Sequence, residues 1–192
     1  MAQEREEHAG LPVSPFKTAA AFEKWLERNG ESAAGLWLKI GKKANPKPGI
    51  SYNDAVEVAL CFGWIDGVVN RYDEFWYLQR FTPRRSRSIW SQINVGRIEE
   101  LTAAGRMRPA GLAQVEAAKA DGRWERAYAG SADMPVPPDL QAALDANPAA
   151  ATAFAGLKRG DRFSMLFHLN NAVRPETRVR RIEKILSDVV QD

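Results

Sequence analysis

Cysteine occurs once in the 192 residues, at Cys61, which excludes an internal disulfide and any thiolate metal cluster. No run approaches the roughly 18 consecutive apolar residues that a membrane-spanning helix needs. The opening MAQEREEHAG is charged and has no apolar stretch of the kind an export signal carries. These absences predict a cytoplasmic chain without membrane insertion. Histidine is scarce: His8 and His168 stand far apart, and no metal-ligand spacing surrounds either. No nucleophile elbow, phosphate loop or dinucleotide fingerprint is spelled anywhere, so no cofactor is expected. Charge of one sign is lacking too. Lys and Arg number 27 against 24 Asp and Glu, and the resulting +3 does not indicate nucleic acid without local clustering.

What is present is an ordinary globular composition, 45% hydrophobic and 27% charged, in a length that suits one core or a main domain with an appendix. Residues 1–14 read as a flexible tail. Thr18 is placed to cap a helix carrying Phe22, Trp25 and Leu26, ended by Asn29-Gly30. Leu36, Leu38 and Ile40 alternate as one side of a strand. Ser51 to Asp54 has the spacing of a capping box, and Gly63 is placed to stop the helix that follows. Trp64–Val69 and Phe75–Phe81 predict two strands around an Arg71–Glu74 turn. Ser86 or Ser88 is placed to cap a helix running to Ala104, with Gly105 as its stop. Pro109 opens another, with Leu112, Val115 and Ala118 inward. The expectation is an α+β fold: a small antiparallel sheet of about three strands packed with helices over residues 15–130. A proline-rich linker, 131–138, then leads to a helical region, 139–192, docked on the main domain. The last helix carries a Val179-Ile182-Leu186-Val189 stripe, with Arg174, Arg178 and Arg181 on another face.

Chemistry concentrates between Cys61 and Asn94, a stretch that holds Trp64, Trp76 and Trp90, half of the six tryptophans. If Asn70 faces Phe75 across the hairpin, Asp66 lies opposite Gln79 and shares a sheet face with Trp64, Val68 and Tyr77. A carboxylate there is costly to bury unless paired; alternatively Asp66 only bonds backbone amides beside Gly67. Arg84, Arg85 and Arg87 precede the expected helix start, where free N–H groups and arginine forks suit a phosphate or carboxylate. The bland alternative is an exposed basic turn with Trp90 as a core anchor. The candidate pocket is Asp66, Gln79, Arg80, Arg84, Arg85, Ser88, Trp90 and Asn94.

The runs Ala59–Gly67, Arg80–Arg85, Ser88–Ser91 with Asn94, Gly105–Gly111, and Arg174–Arg178 with Arg180–Glu183 together resemble the YdeI/OmpD-associated family, also labelled bacteriocin-protection proteins. The resemblance spans most of the chain from about Phe16. It implies survival under bacteriocins or resistance to antimicrobial peptides, with an association to the envelope and a porin. It implies no catalytic residue.

Three functions stand open from the sequence. The first is binding of a small anionic ligand or a protein partner through the candidate pocket, in a stress or protective role. The second is a small enzyme on an anionic substrate, with Asp66 as base and Arg84 and Arg85 as clamp. The third is nucleic-acid binding through the Arg84–Arg97 segment and the Arg174–Arg181 face.

Overall fold

The computed structural model describes residues 6–130 and 134–191. Within them the chain divides into two compact units, one comprising 6–89 and 94–125 and the other 90–93 with 126–130 and 134–191.

The first unit is built on a five-stranded mixed sheet in the order β1-β2-β3-β5-β4. Its strands are β1 (Glu7–His8), β2 (Leu11–Pro15), β3 (Leu36–Gly41), β4 (Trp64–Arg71) and β5 (Trp76–Pro83). The α+β class and the three expected strands are present. The sheet is larger than expected because β1 and β2 extend it beyond β3, and the β2–β3 pair is parallel. A parallel pair needs a crossover, and α1 (Ala19–Asn29) supplies it. The loose tail expected over residues 1–14 is therefore corrected from Glu7 onward. Residues 1–5 of that tail, and residues 131–133 of the expected linker, lie outside the described residues.

Local signals set several element ends. The Thr18 side chain accepts from Ala21 N at the start of α1, and Ser51 Oγ accepts from Asp54 N at the start of α2 (Tyr52–Cys61). Gly63 follows α2 at φ 74°, a conformation an L side chain resists, and a Cβ there would sit 2.9 Å from the Ala110 carbonyl oxygen. On β3, Leu36, Leu38 and Ile40 are buried on one side. Trp37 joins Val13 and Leu78 in a smaller apolar cluster on the other. Phe22 of α1 meets Phe81 of β5 at a ring distance of 5.7 Å, and Trp25 meets Trp64 edge-on at 5.8 Å. Those contacts lay α1 over the sheet face that carries Leu38 and Phe81.

The expected helix start after Arg84 is also corrected. Arg85 N donates to Ser88 Oγ and Ser88 N donates to the Arg85 carbonyl, so Ser88 closes a turn rather than capping a helix. Tyr128 then pairs with the backbone on both sides of Ser91 (Tyr128 N to Trp90 O, Gln92 N to Tyr128 O), which holds the chain extended. Helix α3 begins only at Gln92 and ends at Ala103, ahead of Gly105. Helix α4 (Pro109–Ala120) buries Gly111, Val115 and Ala118, while Leu112, expected inward, is exposed.

The second unit is helical: α5 (Pro138–Asp145), α6 (Pro148–Gly156), α7 (Arg159–Asn170) and α8 (Pro175–Gln191). Leu140, Leu144, Phe154, Leu166, Leu169, Ile185 and Val189 form its core. The apolar stripe of α8 is shifted from the expected one. Ile182, Ile185, Leu186 and Val189 face the core, and Val179 is exposed. Arg178 does not belong to a free basic face, since its Nη2 and Nε both reach the Asp139 carboxylate and its Nη1 donates to the Leu169 carbonyl. No described helix is long and apolar enough to cross a membrane.

Candidate functional site

The Ser51 cap fixes the first turn of α2, and that turn aims Tyr52 at the sheet. The Tyr52 hydroxyl donates to Asp66 Oδ2 at 2.7 Å. Asp66 lies on β4 opposite Phe81, not opposite Gln79 as expected. The register slips after it: Val69 is opposite Gln79 and Asn70 opposite Leu78, so β4 holds one extra residue between Asp66 and Val69. Such a bulge reverses the inside-outside alternation beyond it. Val69 therefore takes the place on the Asp66 face that an unbroken strand gives to Val68.

Two neighbours hold the bulge. Gln79 is 2% exposed, and its Nε2 donates to the Gly67 carbonyl at 2.9 Å. Beneath Gly67 runs Arg80, so close that a Cβ at position 67 would lie 3.3 Å from Arg80 Nε. Arg80 itself pairs with Trp37 across the sheet, its guanidinium 6.0 Å from that ring. A side chain at 67 would therefore require the Arg80 guanidinium to give way by a few tenths of an ångström.

The buckle opens a cleft of about 420 Å³ lined by Tyr52, Asp66, Gly67, Val69, Tyr77 and Gln79. Burial pushes the Tyr52 phenol far above its ordinary range, and the hydrogen bond to and charge of Asp66 add to the rise, while Arg97 pulls the other way and loses. Burial raises Tyr77 as well. Both phenols therefore keep their protons at physiological pH. Just outside, Arg97 Nη2 donates to Asn53 Oδ1 at 2.9 Å.

Of the eight residues expected to form a pocket, Asp66 and Gln79 line this cleft. Arg80 lies on the Trp37 side of the sheet. Arg84 is buried and donates through Nη1 to the Ile89 carbonyl at 3.2 Å. Arg85 is exposed, and Ser88 is engaged in the turn it makes with Arg85. Asn94 is buried on α3 in the first unit, and Trp90 belongs to the second unit. Tyr52, outside the expected set, joins the cleft from the first turn of α2, a position that sequence spacing alone assigns only to a helix. Tyr77 shares the Asp66 face, as expected.

Two further cavities flank the first unit's helices. One of about 290 Å³ is lined by Leu26, Glu27, Phe62 and Arg108, among others, and there Arg108 is already bonded to Glu23 and Glu27. The other, of about 710 Å³, runs beside Val13, Trp25, Arg28 and Asn29. Neither contains a hydrogen-bonded Tyr–Asp pair. No described group of three or more His, Cys, Asp or Glu side chains is arranged to hold a metal ion.

Residues 14–114, more than half of the chain, match a domain of unknown function (DUF8412). Residues 133–191 match the family described as bacteriocin-protection, YdeI or OmpD-associated. The chain belongs to the DUF8412 family and carries a YdeI/OmpD-associated segment. The cleft lies wholly within the DUF8412 part. Of the runs that carry the resemblance, Arg174–Glu183 falls in the YdeI/OmpD-associated segment, and those from Ala59 to Gly111 fall in DUF8412. No curated protein and no solved structure matches the chain.

Proposed function

We propose that this chain acts by binding: a small ligand, or a side chain of a partner, occupies the Tyr52–Asp66–Tyr77–Gln79 cleft in service of the bacteriocin protection that the description of its C-terminal segment names. The observation that carries the reading is the 2.7 Å Tyr52–Asp66 bond at the mouth of a cleft shaped by a strand bulge. A strand interrupted at one residue, with a buried glutamine holding the displaced carbonyl, is a built feature of the kind bulges provide at binding sites.

Catalysis draws less support. Asp66 is already engaged by a neutral phenol, and neither Arg84 nor Arg85 lines the cleft to clamp an oxyanion. The anionic ligand expected from the arginines has no cation lining this cleft to receive it. Nucleic-acid binding loses the Arg178 part of its C-terminal surface to Asp139. A cytoplasmic setting is proposed alongside, in keeping with a chain whose lone cysteine is buried and free.

The test is amide chemical-shift mapping with a chemically mixed fragment set. Perturbations gathered on Gly67, Val69, Tyr77 and Gln79 are expected, and their loss in Asp66→Asn. Perturbations confined to the other two cavities, or none at all, overturn the reading. Cells expressing a cleft variant should lose protection against bacteriocin in parallel with ligand binding.

A further inference from the structure

We infer that the cleft is selective for an organic cation, an alkylammonium or alkylguanidinium group whose chain lies over Val69; the inference rests on the binding reading above. The lining is rich in acceptors, and its one formal charge is negative. A carboxylate offers about four lone-pair positions, and the Tyr52 hydroxyl fills one of those on Asp66. Gln79 spends one Nε2 hydrogen on the Gly67 carbonyl, which orients the amide and leaves Oε1 and a single N–H as its remaining functions. Among the described residues, neither that oxygen nor the Tyr77 hydroxyl takes a hydrogen bond from the protein. The phenol rings of Tyr52 and Tyr77 add the negative faces that attract ammonium and guanidinium groups.

The formal charge in the lining is that of Asp66 alone. Arg97, the cation felt by Tyr52, is bonded to Asn53 and does not line the cleft. An anion would meet a like charge at contact distance. A purely apolar ligand would cover Asp66 and the nearly buried Gln79 without replacing the water they lose. A cation with several N–H donors satisfies all of these acceptors at once. Its methylene stem has a surface to lie on, because Val69 is 59% exposed at the rim. An open cleft of about 420 Å³ admits the charged head and lets the rest of the ligand run out into solvent, so a free amine and a lysine or arginine side chain share one recognition chemistry.

The experiment is titration of the full chain with butylammonium and butylguanidinium, with butyrate and butanol as isosteres of matched length, read by amide shifts on the cleft residues. The cations are expected to bind at least tenfold more tightly than either isostere and to weaken as salt is raised. Asp66→Asn should abolish the preference, and Arg85→Gln, outside the cleft, should leave it unchanged. Should Asp66→Asn fail to fold, Val69→Glu tests the same point from an exposed position by strengthening cation binding several-fold. Acetylated lysine and arginine amides form a second arm: tighter binding than the bare amines assigns the site to a peptide side chain, and weaker binding to a free amine. Equal or tighter binding of butyrate or butanol at the same residues overturns the inference while the binding reading survives. Silence of the cleft toward these probes and toward the fragment set overturns both.

Discussion

Tyr52 and Asp66 are joined by a 2.7 Å hydrogen bond that ties the first turn of α2 to β4, and this bond decides the character of the cleft. It engages Oδ2 of a carboxylate that lines the cleft and leaves Oδ1 without a hydrogen bond among the described residues. Tyr52→Phe should lower stability by about 1 kcal/mol, the usual worth of a partly buried hydrogen bond. Urea denaturation measures it. Ligand affinity should fall further than stability does, because the freed carboxylate loses its orientation.

The same pair fixes an alkaline signature. The folded phenol has a pKa above that of the unfolded chain, where tyrosine ionises near pH 10. The stability the pair contributes is therefore complete below about pH 10 and drains away as pH rises toward the folded value. Thermal melts in alkaline buffer should show a steeper decline for the wild type than for Tyr52→Phe. Ultraviolet difference spectra should show Tyr52 and Tyr77 keeping their protons past the ordinary phenol range.

In the second unit, Arg178 holds the Asp139 carboxylate with two nitrogens and the Leu169 carbonyl with a third, joining α5, α7 and α8. Arg178→Ala should destabilise by about 1–2 kcal/mol after allowing for the partial exposure of the pair. Arg178→Lys should rescue little, because an ammonium lacks the planar fork. Arg178 also holds the Asp139 carboxyl below its ordinary value. That contribution is present above the unfolded aspartate pKa of about 4 and is lost as pH falls through the folded one, so acid melts of the variant and wild type should converge.

Two glycines should respond in opposite senses to the same substitution. A Cβ on Gly111 would lie 2.2 Å from the Cys61 carbonyl oxygen, inside the backbone contact between α4 and α2. Gly111→Ala should therefore cost about 3 kcal/mol or more, or fail to fold. Gly96 lies inside α3 with open space around it, and Gly96→Ala should stabilise by about 0.5–1 kcal/mol. Melting temperatures of the two variants make the comparison.

The sequence reveals those parts of the fold that neighbouring residues decide. Thr18 and Ser51 accept from the N–H groups that capping requires, Gly63 stops α2, and the alternation of Leu36, Leu38 and Ile40 marks the inner side of β3. What stays hidden depends on a partner distant along the chain. Ser88 has the look of a helix cap, yet its hydroxyl closes a turn because Trp90 is drawn into backbone pairing with Tyr128. Pro12 and Pro15 disguise β2, whose place in the sheet depends on pairing with β3. Asp66 and Gln79 do meet in one cleft, but through a bulge that alternation cannot anticipate. At the bulge, Gly67 packs closely over Arg80, where an added Cβ would press on the guanidinium. Tyr52 is legible as a helix residue and becomes a site residue only once β4 lies beside it.

β4 is the last strand of the sheet on its side, and it presents Val68 and Val69 to solvent, 52% and 59% exposed. A straight apolar strand in that position would offer its free backbone groups to another molecule as a template for intermolecular pairing. The buckle at Gly67 breaks that template in the middle. The edge of the sheet and the shape of the cleft thus share one inserted residue, and a deletion that straightens β4 should raise the tendency to aggregate, read by light scattering, at the same stroke as it closes the cleft.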